Sequence, residues 1–296
     1  MTNVLTLIAN PLARNLDDST VAGAREALAG AGATVADDTC WLAPAIACDI
    51  GFSGGDVVDA VSEQLDGAGL DIIAQPTAGR RKKLLVADME STIIANEFVD
   101  ELADAAGVGA AVVDITVRTM AGELDFAASL TERVAMLAGM PVEALERIFG
   151  NLTVLPGARE LVATMTAHGA HTALVSGGFT VFSARVRAAL GFDSDYANQL
   201  EVAGHHLTGA LVPPIIDRAG KRARLEALCG ELNIATADAL AVGDGANDID
   251  MLRAADMGVA FHGKPAATEA ARARINHGDL TALLYLQGYH ARDFKP

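Results

Sequence analysis

Apolar positions along the chain fall into two regimes. In the first 78 or so residues, short apolar runs alternate with helically spaced ones. The run Val4-Leu5-Thr6-Leu7-Ile8-Ala9, closed by Asn10-Pro11, predicts a strand. Val21, Ala24 and Leu28, followed by Gly30 and Gly32, predict a helix with its stop signal. Strands are predicted near Thr34 to Leu42 and Ala45 to Ile50, then a helix carrying Val57, Val61 and Leu65, then a strand from Leu70 to Ala74. The order is βαββαβ. No cluster of catalytic residue types falls within it, so an effector-binding or assembly module is expected.

From Leu84 the pattern changes to continuous apolar runs, the signature of strands buried on both faces of a parallel sheet. Leu84 to Ala87, Thr172 to Val175, Leu240 to Val242 and Gly258 to Phe261 are such runs, separated by helical patterns. A doubly wound α/β sheet follows, and ligands of such sheets bind beyond the carboxyl ends of the strands. Asp88, Ser176 and Asp244 all fall there. Asp88 and Ser176 are 88 positions apart, whereas a simple βαβ unit takes about 30 residues. The excess carries helical spacings (Val99, Leu102, Ala106; Leu130, Val134, Leu137) and predicts a helical cap. Alternation from Tyr196 to Val212 around Gly204 and Gly209 predicts a β-hairpin flap.

Composition supports a large aliphatic interior: 51% of the 296 residues are hydrophobic and only 4% aromatic. A net charge of −16 argues against a nucleic-acid partner and for a small ligand. Cys40, Cys48 and Cys229, without Cys-x-x-Cys spacing, are expected to be reduced core residues. No segment approaches the roughly 20 apolar residues of a membrane span and no leader is evident, so no membrane partner and a cytoplasmic protein are expected. Arg80-Arg81-Lys82-Lys83 reads as a solvated linker, and the histidines, including His205-His206, as structural or solvent-facing.

Four elements carry chemistry. Asp88-Met89-Glu90-Ser91-Thr92 sets one carboxylate at a strand end and another two residues on, a nucleophile and an acid–base for phosphoryl transfer. Ser176-Gly177-Gly178 offers a hydroxyl and close backbone approach for phosphate oxygens. Lys221, expected near the start of a helix from Lys221 to Leu232, supplies an ammonium against charge building at Asp88. Gly243-Asp244-Gly245-Ala246-Asn247-Asp248 crowds acids and an amide into one strand-to-helix turn, suited to a hard cation such as Mg²⁺ shared by Asp88 and Asp244.

In this order the four elements resemble the haloacid-dehalogenase superfamily and, within it, the phosphoserine phosphatases, over roughly residues 80 to 290. The resemblance implies a Rossmann-like parallel sheet with a helical cap inserted after its first strand, preceded by an ACT-like α+β domain. The division expected is 1–78 for that domain and 79–296 for the phosphatase domain, with core 79–94 and 155–296 and cap 95–154. It implies Mg²⁺-dependent hydrolysis of O-phospho-L-serine, the last step of serine biosynthesis, through an aspartyl-phosphate on Asp88. Metal ligands would be Asp88, the Glu90 backbone carbonyl and Asp244; phosphate contacts Ser176, Gly177, Gly178 and Lys221; Asn247 and Asp248 would support the site. In the cap, Glu97, Met120, Phe126 and Arg133 match positions that enclose phosphoserine, Glu97 meeting its ammonium and Arg133 its carboxylate. Glu90 departs from the family's usual Asp, which leaves transfer to an acceptor such as homoserine, or a broader phosphatase, as alternatives. A homodimer through the N-terminal module, or an amino-acid-sensing protein, would make use of that module.

Overall fold

The computed structural model describes residues 1–120 and 123–296, Met120 by its backbone alone. Among these, two sheets organise the chain. The first is built from β1 (Asn3–Ala9), α1 (Asp18–Gly30), β2 (Thr34–Ala43), β3 (Ala47–Ser53), α2 (Val58–Gln64) and β4 (Leu70–Pro76). Its strands are antiparallel in the order β2-β3-β1-β4, the βαββαβ arrangement the sequence predicts. α1 starts where Asp17 accepts from the Thr20 N–H, and turns Val21, Ala24 and Leu28 onto the sheet to close a core with Leu5, Leu7 and Ile50.

The second sheet is predominantly parallel. β5 (Leu84–Ala87) is followed by α3 (Phe98–Ala105), α4 (Gly109–Met120), α5 (Phe126–Ala135) and α6 (Glu143–Phe149) before α7 (Ala158–Ala167) and β6 (His171–Phe179). Then come α8 (Thr180–Leu190), β7 (Ser194–Ala203), β8 (His206–Val212), α9 (Arg218–Glu231), β9 (Ala239–Gly243), α10 (Ile249–Ala254), β10 (Met257–Phe261), α11 (Pro265–Ala270), β11 (Ala273–Ile275) and α12 (Ala282–Tyr285). The order is β11-β10-β9-β5-β6-β7-β8. β5, β9 and β10 are buried along their whole length, which is why they read as unbroken apolar runs.

Several expectations are corrected. The predicted hairpin is present but begins later than Tyr196: β7 first pairs parallel with β6, and from Gln199 onward pairs antiparallel with β8. α9 begins at Arg218, capped by Asp217, so Lys221 lies one turn inside it. Cys40 is exposed, on an edge strand, while Cys48 and Cys229 are buried. β11 escaped notice because three residues are too few for a periodicity.

The basic run after Gly79 is the largest correction, because it is a clasp. Lys82 is buried, and its ammonium donates to the Gly79 and Ala237 carbonyls and to Asp256. Arg80 pairs with Asp49 at 2.6 Å, and Arg81 stacks over the Tyr289 ring at 4.2 Å. A basic composition gives no hint of such partners.

The two sheets are joined by polar bonds as well as apolar packing. Asp71 of β4 is buried, and its carboxylate accepts from the backbone N–H groups of Asn276, His277 and Gly278. Gln75 donates to the Leu286 carbonyl at 2.6 Å, while Ile8, Ala43, Ala47 and Ile73 join the apolar core of the second sheet. Asp71→Ala leaves buried N–H donors unpaired and is expected to cost about 2–4 kcal/mol. Urea unfolding would show this as a lowered midpoint; an unchanged midpoint would mean that water replaces the carboxylate. Among the described residues no helix is long and apolar enough to cross a membrane.

Candidate active site

The site forms where β5 lies between β9 and β6, because their parallel direction brings three carboxyl ends to one edge. Asp88 follows β5 directly, its N–H donating to the Val242 carbonyl of β9 at 2.9 Å. Its Oδ1 accepts from the Met89 N–H at 2.7 Å and pairs with Lys221 Nζ at 2.7 Å. Oδ2 is the freer oxygen, with Asn247 Nδ2 at 3.4 Å. Lys221 is fully buried and also binds Asp248 Oδ1 at 2.7 Å. Asp248 Oδ2 in turn accepts from the Gly245 N–H. A side chain at Gly243 would collide with the Asp248 carboxyl, so that close approach requires glycine.

These contacts set the charges. Burial, with the neighbouring Asp248, pushes the Asp88 carboxyl up to about 7 against the pull of Lys221. Burial opposes the Lys221 ammonium, but Asp248 and Asp88 outweigh it and hold its pKa above the ordinary lysine value. Burial, reinforced by Glu97, pushes the Glu90 carboxyl up to about 8. A Glu90 carboxyl raised in this way can hold a proton at neutral pH, as a general acid must.

Glu90 spans core and cap. Its Oε1 accepts from the N–H of Phe98, the first residue of α3, at 2.8 Å, while Oε2 lies over Gly178, where an added Cβ would sit 2.8 Å away. The bare glycine makes room for the longer acid. Ser176 is buried, its Oγ accepting from the Gly178 N–H at 2.9 Å. Phe126 of α5 packs its ring edge on Gly177, bringing cap against core. Glu97, just before α3, accepts from Ser91 Oγ at 2.7 Å, and burial raises its pKa. Arg133 is partly buried, with its Nε donating weakly to Ser129 O at 3.4 Å. Burial lowers its pKa, opposed by the fields of Asp100, Glu90 and Glu97. The side chain of Met120, the last residue of α4, lies outside the described residues.

The acid cluster suits a hard cation: carboxylate oxygens of Asp88, Asp244 and Asp248 lie within 4.8 Å of one another, an all-oxygen set of the kind Mg²⁺ selects. Asp248 is committed to Lys221 and Gly245, which leaves Asp88 and Asp244 to face an ion. Sequence reasoning missed Lys264, whose ammonium pairs with Asp244 Oδ2 at 3.0 Å. Its signal was a basic residue after Gly263, just past the carboxyl end of β10.

Comparison with known proteins places this geometry. Residues 85–253 match the haloacid dehalogenase-like hydrolase family. A phosphoserine phosphatase of Idiomarina loihiensis is 47% identical over 201 residues, covering 68% of this chain and 91% of that protein. One of Archaeoglobus fulgidus is 42% identical over 217 residues, covering 73% of this chain and 63% of its own length. With two further phosphoserine phosphatases the chain spans 54% and 52% of their length. The crystal structure of a HAD family hydrolase from Salmonella enterica serovar Typhi superposes with a TM-score of 0.85 at 29% identity, covering 97% of this chain and 98% of that one.

Proposed function

This chain belongs to the haloacid dehalogenase-like hydrolases and, within them, to the phosphoserine phosphatases, and on that premise we propose that it hydrolyses O-phospho-L-serine to L-serine and phosphate. The observation that carries the reading is a buried Asp88 carboxylate 2.7 Å from Lys221, with the protonatable Glu90 beside it and Glu97 and Arg133 in the cap. An Asp88 oxygen attacks phosphorus as the bond to the serine oxygen breaks, and Glu90 gives that oxygen its proton. Glu90 then takes a proton from the water that attacks the aspartyl-phosphate, restoring the Asp88 carboxylate and releasing phosphate. Lys221 balances the charge on Asp88 throughout, and Ser176 with the Gly177 and Gly178 backbone receives the phosphoryl oxygens.

The cation in this proposal is Mg²⁺, which Asp88, Asp244 and the Glu90 carbonyl would hold with Asp248 in support; when bound it would supply charge neutralisation for phosphoryl transfer. In the cap, Glu97 receives the substrate ammonium and Arg133 its carboxylate, while Phe126, with Met120, excludes water. Residues 1–78 form an ACT-like regulatory or assembly module that supports a homodimer, and 79–296 the phosphatase domain with its cap at 95–154. The enzyme works in the cytoplasm.

Phosphate release with Mg²⁺ across a panel of phosphomonoesters tests the substrate. O-phospho-L-serine is expected to lead the panel; turnover of other esters but not of phosphoserine would overturn the assignment. Phosphohomoserine formed on adding homoserine would instead identify a phosphotransferase. The acid–base role has its own signature, because a Glu90 carboxyl raised to about 8 is protonated at neutral pH. kcat/KM is therefore expected to fall as the pH rises through about 8 and the proton donor is lost, and to fall on the acid side of about 7 as the Asp88 nucleophile takes up a proton. A flat alkaline profile would remove Glu90 from that role.

A further inference from the structure

The ion pair between Lys264 and Asp244 carries an inference that rests on the cation reading above. Lys264 sits just before α11, between Gly263 and Pro265. Its backbone N–H donates to the Asp244 carbonyl at 2.8 Å, and its ammonium reaches Asp244 Oδ2 at 3.0 Å. Main chain and side chain therefore tie this residue to Asp244. The two partners differ sharply in freedom: the Lys264 side chain is 68% exposed and that of Asp244 only 9%. Lys221 offers the contrast, since it is fully buried between Asp88 and Asp248 and has nowhere to go.

Asp244 is thus a carboxylate already neutralised by an ammonium on a largely exposed side chain. The fields of Glu97 and Asp248 add to the attraction that keeps Lys264 there. A divalent cation on Asp88 and Asp244 would bring its charge within a few ångströms of this ammonium, and like charges at that range repel strongly. An exposed lysine has a flexible stem and a well-hydrated head, so its release into water is inexpensive.

We propose that Lys264 is a tethered competitor for the Asp244 carboxylate. It neutralises Asp244 when no divalent cation is bound, swings into solvent when one arrives, and so weakens the affinity with which the cation is held. The ammonium shields Asp244 from the neighbouring acids in the cation-free site and keeps the cation exchangeable.

Calorimetric titration of Mg²⁺ into the full chain tests this without relying on turnover, comparing wild type, Lys264→Gln and Lys264→Arg. The side chain is largely in water, so both variants keep the fold. Removing an ion pair of this exposure is expected to tighten Mg²⁺ binding about two- to fivefold in Lys264→Gln. Lys264→Arg, which keeps the charge, should bind as wild type does. Equal or weaker binding by Lys264→Gln would overturn the proposal and make Lys264 a spectator or an orienter of Asp244. Binding by Lys264→Arg as tight as by Lys264→Gln would overturn it too, because charge would then not be the cause. A wild-type chain that binds no divalent cation would instead defeat the cation reading on which this inference rests.

Discussion

Asp88→Asn is expected to abolish turnover, lowering kcat by about 10³- to 10⁵-fold, because the amide can neither attack phosphorus nor be regenerated by water. The substitution is nearly isosteric, so the fold should survive it. The amide oxygen can still accept the Met89 N–H that Asp88 Oδ1 accepts at 2.7 Å. Lys221 also retains Asp248 as a partner at 2.7 Å, so its ammonium is not left buried and unpaired. Removing one carboxylate from the crowd of Asp88, Asp244 and Asp248 relieves repulsion, which offsets part of the lost ion pair. Steady-state phosphate release and thermal unfolding, measured together, check the pair of expectations. Residual activity within tenfold of wild type would show that water attacks the substrate directly.

Arg133→Ala is expected to raise KM for O-phospho-L-serine by about 10²-fold, as truncating one partner of a desolvated charge pair does. The side chain stands free for a ligand: its weak 3.4 Å bond to Ser129 O is the one hydrogen bond it makes among the described residues. Burial lowers its pKa against the fields of Asp100, Glu90 and Glu97, so a ligand carboxylate there would pair with a partly desolvated guanidinium. A phosphomonoester without a carboxylate has nothing for Arg133 to grip, so its KM should hardly change. Michaelis constants for both substrates on both proteins provide the check. An equal effect on the two would make Arg133 a cap-stabilising residue.

Much of this account was legible in the sequence, for physical reasons that differ by element. β5, β9 and β10 are buried on both faces and so had to be continuous apolar runs. Any one polar residue at their carboxyl ends could be an ordinary helix cap or loop residue; these residues stood out as an ordered set of four elements converging on one sheet edge. The βαββαβ order was readable from alternating periods and turn signals. The polar residues that act through distant partners were not readable. Lys82 and Asp71 are both buried and both satisfied by groups far along the chain, and neither composition nor spacing encodes those meetings. Lys264 belongs with them: only the fold carries it to Asp244. Nor could the sequence explain Glu90, where one extra methylene is accommodated by the bare Gly178 and anchored on the Phe98 N–H.

The central claim is that the phosphoryl group passes through Asp88, and rapid acid quenching of the enzyme during turnover of phosphoryl-labelled O-phospho-L-serine tests it most directly. The account predicts label on the protein, located by peptide mass analysis on Asp88 and absent from Asp88→Asn. Turnover with unlabelled protein at every quench time, or label on another residue, would contradict it.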